Sequence, residues 1–353
     1  MGWSFTACIP CVRHPDWAAG HAGWKSSIHE PLRPVPGGIP GHAAATAAAV
    51  RYAARCPVRR LAMTLRILSI VFPVFAIAAI GYLYGRHKQP ELTVANQMNM
   101  DVFIPALVFG ALASKSFHPE QYELLAVAGV ITVIGSGLLG WGAARLIGVA
   151  PKTFAPPIMF NNCGNLGLPL AVLAFGDAAL APAVVLFVIS NTLHFSVGSY
   201  VLDHHAKLST LWRMPVMLAT IGGLAVSLSG FEIWPPLMVG IRMLGDVSVP
   251  LLLFALGVRL SDSSLHAWRI GVLGAIARPL IGFPLTLALA WALGLEGQQR
   301  ALLLVFGALP PAVLNYVFAE RYRCEPDKVA SIVMIGNLFS LLFIPLALGY
   351  VLD

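Results

Sequence analysis

The sequence predicts an all-α polytopic membrane protein of ten transmembrane helices arranged as two inverted five-helix repeats, and three observations predict it. The 353 residues are 58% hydrophobic and only 11% charged, whereas a soluble domain carries about 25% charged residues. After residue 63 the apolar runs recur at lengths near the roughly 20 residues that cross a hydrocarbon core of about 30 Å. A nine-residue pattern in the first half then returns 145 residues later. A transmembrane barrel would alternate polarity over segments of about ten residues, and no such alternation dominates here.

Residues 1–62 are rich in Pro, Gly and Ala, lack helical periodicity and hold no apolar run of signal-peptide form. They are expected to be a disordered or untranslated extension, because Met63 stands directly before the first membrane segment. Residues 63–210 form the first repeat and 211–353 the second. Spans are expected near 65–85, 94–114, 122–148, 153–174, 178–202, 212–230, 234–258, 267–294, 299–319 and 327–351.

The net charge of +7 does not point to nucleic acid, because seven of the 23 Lys and Arg fall in residues 1–62 and most others flank apolar segments. Loops after odd-numbered helices carry eleven cations: Arg86, Lys88, Arg145, Lys152, Lys207, Arg213, Arg259, Arg269, Arg321, Arg323 and Lys328. The other side, counted from Met63, has Arg66, Lys115 and Arg300. That bias places both termini outside the cytoplasm. Among the five cysteines, Cys8 and Cys11 give a weak metal or redox signal, and no disulfide framework is implied.

The repeat rests on Asp101 to Phe109 in helix two and Asp246 to Phe254 in helix seven, which agree at five of nine positions. Asp and Pro are uncommon in membrane helices, so the shared Asp101/Asp246 and Pro105/Pro250 weigh more than shared Leu or Val. Asn191 matches Asn337, Gly148 matches Gly294, and Pro73-Val74 matches Pro215-Val216 at a slightly shorter spacing. Five is odd, so the second copy enters the membrane from the opposite side. Such inverted copies give a transporter two related packings around a site near the midplane.

Helices four and nine carry the breaks. The first runs Asn161-Asn162-Cys163-Gly164-Asn165-Leu166-Gly167-Leu168-Pro169 and the second Gly307-Ala308-Leu309-Pro310-Pro311-Ala312-Val313-Leu314-Asn315. Proline removes an amide donor and glycine lowers the cost of leaving helical geometry, so both should unwind. Unwound backbone survives in a bilayer only where protein or a wet cavity covers it, and the amide ends of the half-helices attract a carboxylate. The expected substrate-binding residues are Asn161, Asn162, Gly164, Asn165, Gly167, Pro169, Pro310, Pro311 and Asn315.

The chain from about residue 65 onward resembles the auxin efflux carrier family, in particular its bacterial members, which include transporters of malonate, malate and related acids. Asn165, Gly167 and Pro169, the Pro310-Pro311 break and the run from Pro250 to Gly257 carry the resemblance. It implies crossed broken helices 4 and 9 in a transport domain of helices three to five and eight to ten. That domain would move against helices one, two, six and seven, commonly in a homodimer in a bacterial inner membrane.

Asp101, Asp246, Arg278, Asn191 and Asn337 are candidates for coupling or charge balance, since a charge within a span costs at least about 2.5 kcal/mol. Arg278 is expected to pair with a carboxylate, and His194 to be a hydrogen-bonded core histidine. The expected function is secondary or potential-driven transport of small organic anions, elevator-like, with a proton or sodium as the coupling ion. No cofactor or metal is expected, and no nucleotide loop, His-Glu-x-x-His helix or Gly-x-Ser-x-Gly elbow points to a pump or an enzyme. The alternatives are a cation-coupled antiporter or bile-acid-type sodium symporter of similar fold, and a receptor or scaffold without transport.

Overall fold

A computed structural model describes residues 57–114, 117–203, 213–261 and 267–352, and every regular element among them is helical. Helix α1 (Pro57–Lys88) is followed by α2 (Thr93–Met98), a wide turn of i→i+5 type (Asn99–Phe103) and α3 (Ile104–Leu112). Then come α4 (Glu123–Leu146), α5 (Pro151–Met159), a second wide turn (Cys163–Gly167) and α6 (Leu168–Phe175). Helix α7 (Leu180–Leu193) passes through a third wide turn (His194–Gly198) into α8 (Ser199–Leu202). The remainder is α9 (Pro215–Ser229), α10 (Pro235–Ser261), α11 (Trp268–Ala292), α12 (Gly297–Ala308), α13 (Leu314–Arg321) and α14 (Pro326–Leu352).

Among the described residues, six stretches are long and apolar enough to cross a membrane: Met63–Lys88, Pro119–Leu146, Asp177–Leu202, Pro235–Ser261, Trp268–Ala292 and Pro326–Leu352. The protein is therefore all-helical and polytopic. The expected spans 94–114, 153–174, 212–230 and 299–319 are instead filled by shorter or interrupted helices. Helix α1 starts at Pro57, which fits a first-turn position where the missing N–H costs nothing. The helix thus takes in the last six positions of the expected disordered or untranslated extension 1–62, and residues 1–56 lie outside the described residues.

Two prolines that match in sequence, Pro105 and Pro250, sit in different surroundings. Helix α10 continues through Pro250, whereas the wide turn at 99–103 lies just before Pro105. Proline 105 offers no amide to the carbonyl four residues back and its ring crowds that turn, which widens it. The glycine match is closer. Gly148 and Gly294 both take positive φ, at 71° and 63°. Both follow a long helix with the same closing bonds: Val149 N to Ala144 O and Leu295 N to Ala290 O, each at 2.9 Å. A residue with a side chain is strained there, so each helix ends on a glycine cap.

Close backbone approach sets the packing of α1 on α10. A Cβ on Gly81 would strike the Phe254 carbonyl, one on Gly85 the Ser261 hydroxyl, and one on Gly257 the Ala78 carbonyl. Small residues one turn apart let membrane helices approach where lipid supplies no hydrophobic drive between them. A related contact joins α9 to α3, where a Cβ on Gly223 would lie 3.4 Å from the Phe109 carbonyl. The main core runs through Val74, Val108, Phe160, Leu168, Leu253, Leu303 and Ile344, so it links α1, α3, the interrupted segments and α14.

Candidate functional site

Two interruptions in the helices meet. Helix α5 ends at Met159 and helical hydrogen bonding resumes with Leu166 N to Asn162 O at 3.1 Å. Helix α12 ends at Ala308, and α13 begins at Leu314. Between them an antiparallel bridge pairs Asn161 with Pro311, through Asn162 N to Pro310 O at 2.8 Å and Ala312 N to Phe160 O at 2.9 Å. Each break therefore satisfies the backbone that the other exposes, which is what allows unwound chain inside an apolar protein.

The unwound stretches are shorter than the sequence motifs. Gly164 and Gly167 fall in the wide turn, and Pro169 follows it at the start of α6, where, like Pro105, it offers no amide to the turn before it. The amides of Cys163, Gly164 and Asn165 precede the first intrahelical bond of the resumed helix. Val313 and Leu314 occupy the same place before α13. Both half-helices thus present amide ends, with their partial positive charge, to one cavity.

That cavity has a volume of about 270 Å³ and is lined by Asn161, Asn162, Cys163, Gly164 and Asn165 from the first break and Ala312, Val313 and Leu314 from the second. This is below the roughly 300–1,000 Å³ typical of drug-sized ligands, so it suits a small solute. Asn161 donates to Phe306 O at 2.6 Å, while its Oδ1 is buried with no partner. Asn162 donates to Asn337 Oδ1 at 2.9 Å. Asn165, half-buried, completes the amide wall.

Of the residues expected from sequence, Asn161, Asn162, Gly164, Asn165 and Asn191 come together here. The others support the site or lie elsewhere. Gly167 packs under Leu309, whose Cδ1 would be 2.9 Å from an added Cβ. Pro310 and Pro311 contribute carbonyls to the bridge and to Asn337 rather than lining the cavity. Asn315 holds the first break in place by donating to Phe160 O at 3.0 Å. Asn337 is buried behind Asn162 and donates to Pro311 O at 3.0 Å and Val333 O at 2.7 Å.

The charged candidates are dispersed. Asp101 is exposed, and Asp246 borders a separate hollow with Pro169 and Asp177. Arg278 is fully buried, but its partner is not the expected carboxylate. Its Nη1 donates to Gly307 O at 3.3 Å, at the carbonyl end of α12, where a cation offsets the helix dipole. Gly282 makes room for it, since a Cβ there would collide with the same guanidinium nitrogen.

Four further polar residues line the cavity besides apolar ones: Asn96 and Asn99 near the start of the second span, Ser190 on α7, and Arg259 on α10. Asn96 and Asn99 are three apart on one helical face, a spacing that could have exposed them. Arg259 had been counted only as an anchoring loop charge. His194 also borders the cavity. It is a buried core histidine, stacked on Phe160 at 4.0 Å between centroids with Phe318 at its edge; its Nε2 has no partner, and Asn315 is its side-chain hydrogen-bond neighbour.

An all-helical protein with apolar spans and a polar cavity between two broken helices belongs to the class of polytopic membrane transporters. The comparisons agree. The family model described as "Membrane transport protein" matches residues 204–348. An uncharacterized transporter of Methanocaldococcus jannaschii is 24% identical over 300 residues, which cover 79% of this chain and 97% of that protein. A Rhizobium meliloti protein named "Putative malonate transporter" is 27% identical over 301 residues, covering 78% of this chain and 92% of its own length. Auxin efflux carrier component 2 of Arabidopsis thaliana is 32% identical over 139 residues, 37% of this chain and 21% of that protein. The chain is thus similar over most of its length to transporters and over part of it to auxin efflux carriers.

Proposed function

We propose that the protein carries small organic anions, mono- or dicarboxylates such as malonate or malate, by alternating access. The observation that carries this reading is the meeting of the two breaks around one amide-lined cavity. Two half-helix amide ends and a wall of asparagines donate hydrogen bonds to a carboxylate, and among the described residues lining the cavity there is no Asp or Glu. That lining favours an anion over the cation cargo or paired cation sites of an antiporter or sodium symporter. The name of the Rhizobium meliloti relative supports malonate as a first substrate to test.

Ten transmembrane segments in two inverted repeats give the alternation its mechanism. In support, Gly81 of α1 meets Phe254 of α10, while Gly223 of α9 meets Phe109 of α3. Phe109 and Phe254 are the last matched positions of the sequence repeat, and Gly81 and Gly223 keep the spacing of Pro73 and Pro215. Such exchanged contacts are what a two-fold internal relation produces. The segments of helices three to five and eight to ten then move as one body, elevator-like, against helices one, two, six and seven. The carrier works as a homodimer in a bacterial inner membrane with both termini outside the cytoplasm, with a proton, sodium or the membrane potential as the driving force.

The test is flux in proteoliposomes of the purified protein, with radiolabelled malonate, malate and acetate, with and without sodium and at two pH values. Saturable uptake of at least one acid is expected. Absence of any carboxylate flux would overturn the carrier reading and leave a receptor or scaffold.

A further inference from the structure

Arg259 is the cationic side chain among the described residues that line the cavity. It lies on the α10 face that also presents Leu252 and Ala255. Residues 252 and 259 are seven apart, so Arg259 stands two helical turns, about 10 Å, along that face from Leu252. It also borders a second cavity of about 420 Å³, together with Val313, Val317, Tyr316, Asp327 and Asn337. Asn161, Asn162 and Asn165 do not border that second cavity. Arg259, Val313 and Val317 are therefore the part of the wall that the two cavities share, and the asparagines occupy a different part.

We infer that Arg259 binds a second carboxylate, so that the site takes dicarboxylates in preference to monocarboxylates. One carboxylate lies on the asparagine and amide wall and the other on the guanidinium, with the apolar side chains of Ala255, Val313 and Val317 against the carbon chain. A guanidinium donates two parallel bonds to a carboxylate in a fixed fork, which gives geometric selection as well as attraction. Asp327 faces the second cavity only. Its charge opposes anions there, and Arg259 at the partition draws them past it.

The competing role for Arg259 is that of an anchor, since it lies in the last turn of α10, where a cation offsets the helix dipole and marks the membrane edge. An anchor would influence yield and stability but would not discriminate one acid from another. The inference rests on the organic-anion reading, and the two fail differently.

The experiment measures uptake of labelled malonate and labelled acetate in proteoliposomes by the wild type, Arg259→Gln and Arg259→Lys. In the Gln variant, malonate KM should rise about tenfold or more, the size of losing one charge-assisted partner, while acetate KM stays within about threefold. The Lys variant keeps the charge without the fork and should recover part of the preference. Should the Gln variant fail to fold, competition on the wild type gives the answer: unlabelled malonate should displace labelled substrate about tenfold better than acetate. Equal KM changes for both acids, or equal competition by both, would overturn the role of Arg259 while leaving the carrier reading intact. No uptake of either acid by the wild type would overturn both.

Discussion

The two breaks pair with each other, yet they do different work. The first contributes side chains: Asn161, Asn162 and Asn165 face the cavity. The second contributes backbone: the carbonyls of Phe306, Gly307, Pro310 and Pro311 accept bonds from Asn161, Arg278, the Asn162 amide and Asn337. A proline pair is well suited to that role, because it gives up donors and keeps acceptors. The difference teaches that two paired breaks can divide their work, one lining the cavity with polar side chains while the other holds those side chains in place.

This division can be broken by mutation, and the largest effect is expected at the reading side. Asn165→Ala should reduce carboxylate uptake to the level of empty vesicles while the purified protein still elutes as a folded species. Normal uptake by this variant would show that the first break does not hold substrate. Next comes the junction between the breaks. Asn337→Leu strands the Asn162 amide group and the Pro311 carbonyl, each buried, at about 1–3 kcal/mol per group. Thermal unfolding in detergent should show a loss of about 2–5 kcal/mol, and an unchanged midpoint would remove Asn337 from the support of the site.

Two glycine substitutions sharpen the same contrast. Gly307→Ala places a Cβ 2.7 Å from the Gly282 carbonyl, which cannot yield without moving α11, so a loss of about 1–3 kcal/mol is expected. Gly164→Ala meets only the Phe187 ring edge at 3.0 Å, and a ring can tilt. Its stability cost should be about 1 kcal/mol or less, with the change falling on KM instead. The same cost for both variants would mean that the breaks are equally rigid.

The smallest effect concerns acid. Lys328 and Thr153 bond to Glu325 and hold its carboxyl below the ordinary value of 4.5. Thr153 is buried at the start of α5, so its bond to the exposed Glu325 ties the first broken helix to the loop before α14. Because the folded-state value is depressed, its contribution is present above the ordinary carboxylate range and lost as pH falls below about 4.5 through the folded value. Glu325→Gln should flatten the acid limb of the stability profile slightly, and an identical acid limb in both proteins would assign that limb to other groups.

How much of this was legible in the chain depends on the kind of residue. The breaks announced themselves because Gly, Pro and Asn are conspicuous against Leu and Val, and the caps at Gly148 and Gly294 fell where the sequence put them. Arg259, by contrast, looked like any flanking cation, since charge near a helix end says nothing about which side faces a cavity. Asn96 and Asn99 were unremarkable at the start of a span. Asp101 and Asp246 stood out by their rarity and proved to lie off the cavity, because rarity marks a constraint but not its location. Arg278 stands out in sequence as a charge inside a span, yet its partner is a carbonyl 29 positions away rather than a carboxylate, which no local pattern encodes.

By itself the sequence determined the membrane character, the six long apolar helices and the two places where the chain breaks at Asn161 and Pro311, because hydropathy, proline and glycine act locally and within a turn or two. Only the tertiary structure decided that the breaks pair with each other, that one faces the cavity with side chains while the other supplies carbonyls, and that Arg259 rather than either aspartate is the charged group beside it. Those are contacts between segments about 150 residues apart, set by which helix faces can approach closely enough to pack, and a linear pattern carries no measure of that approach.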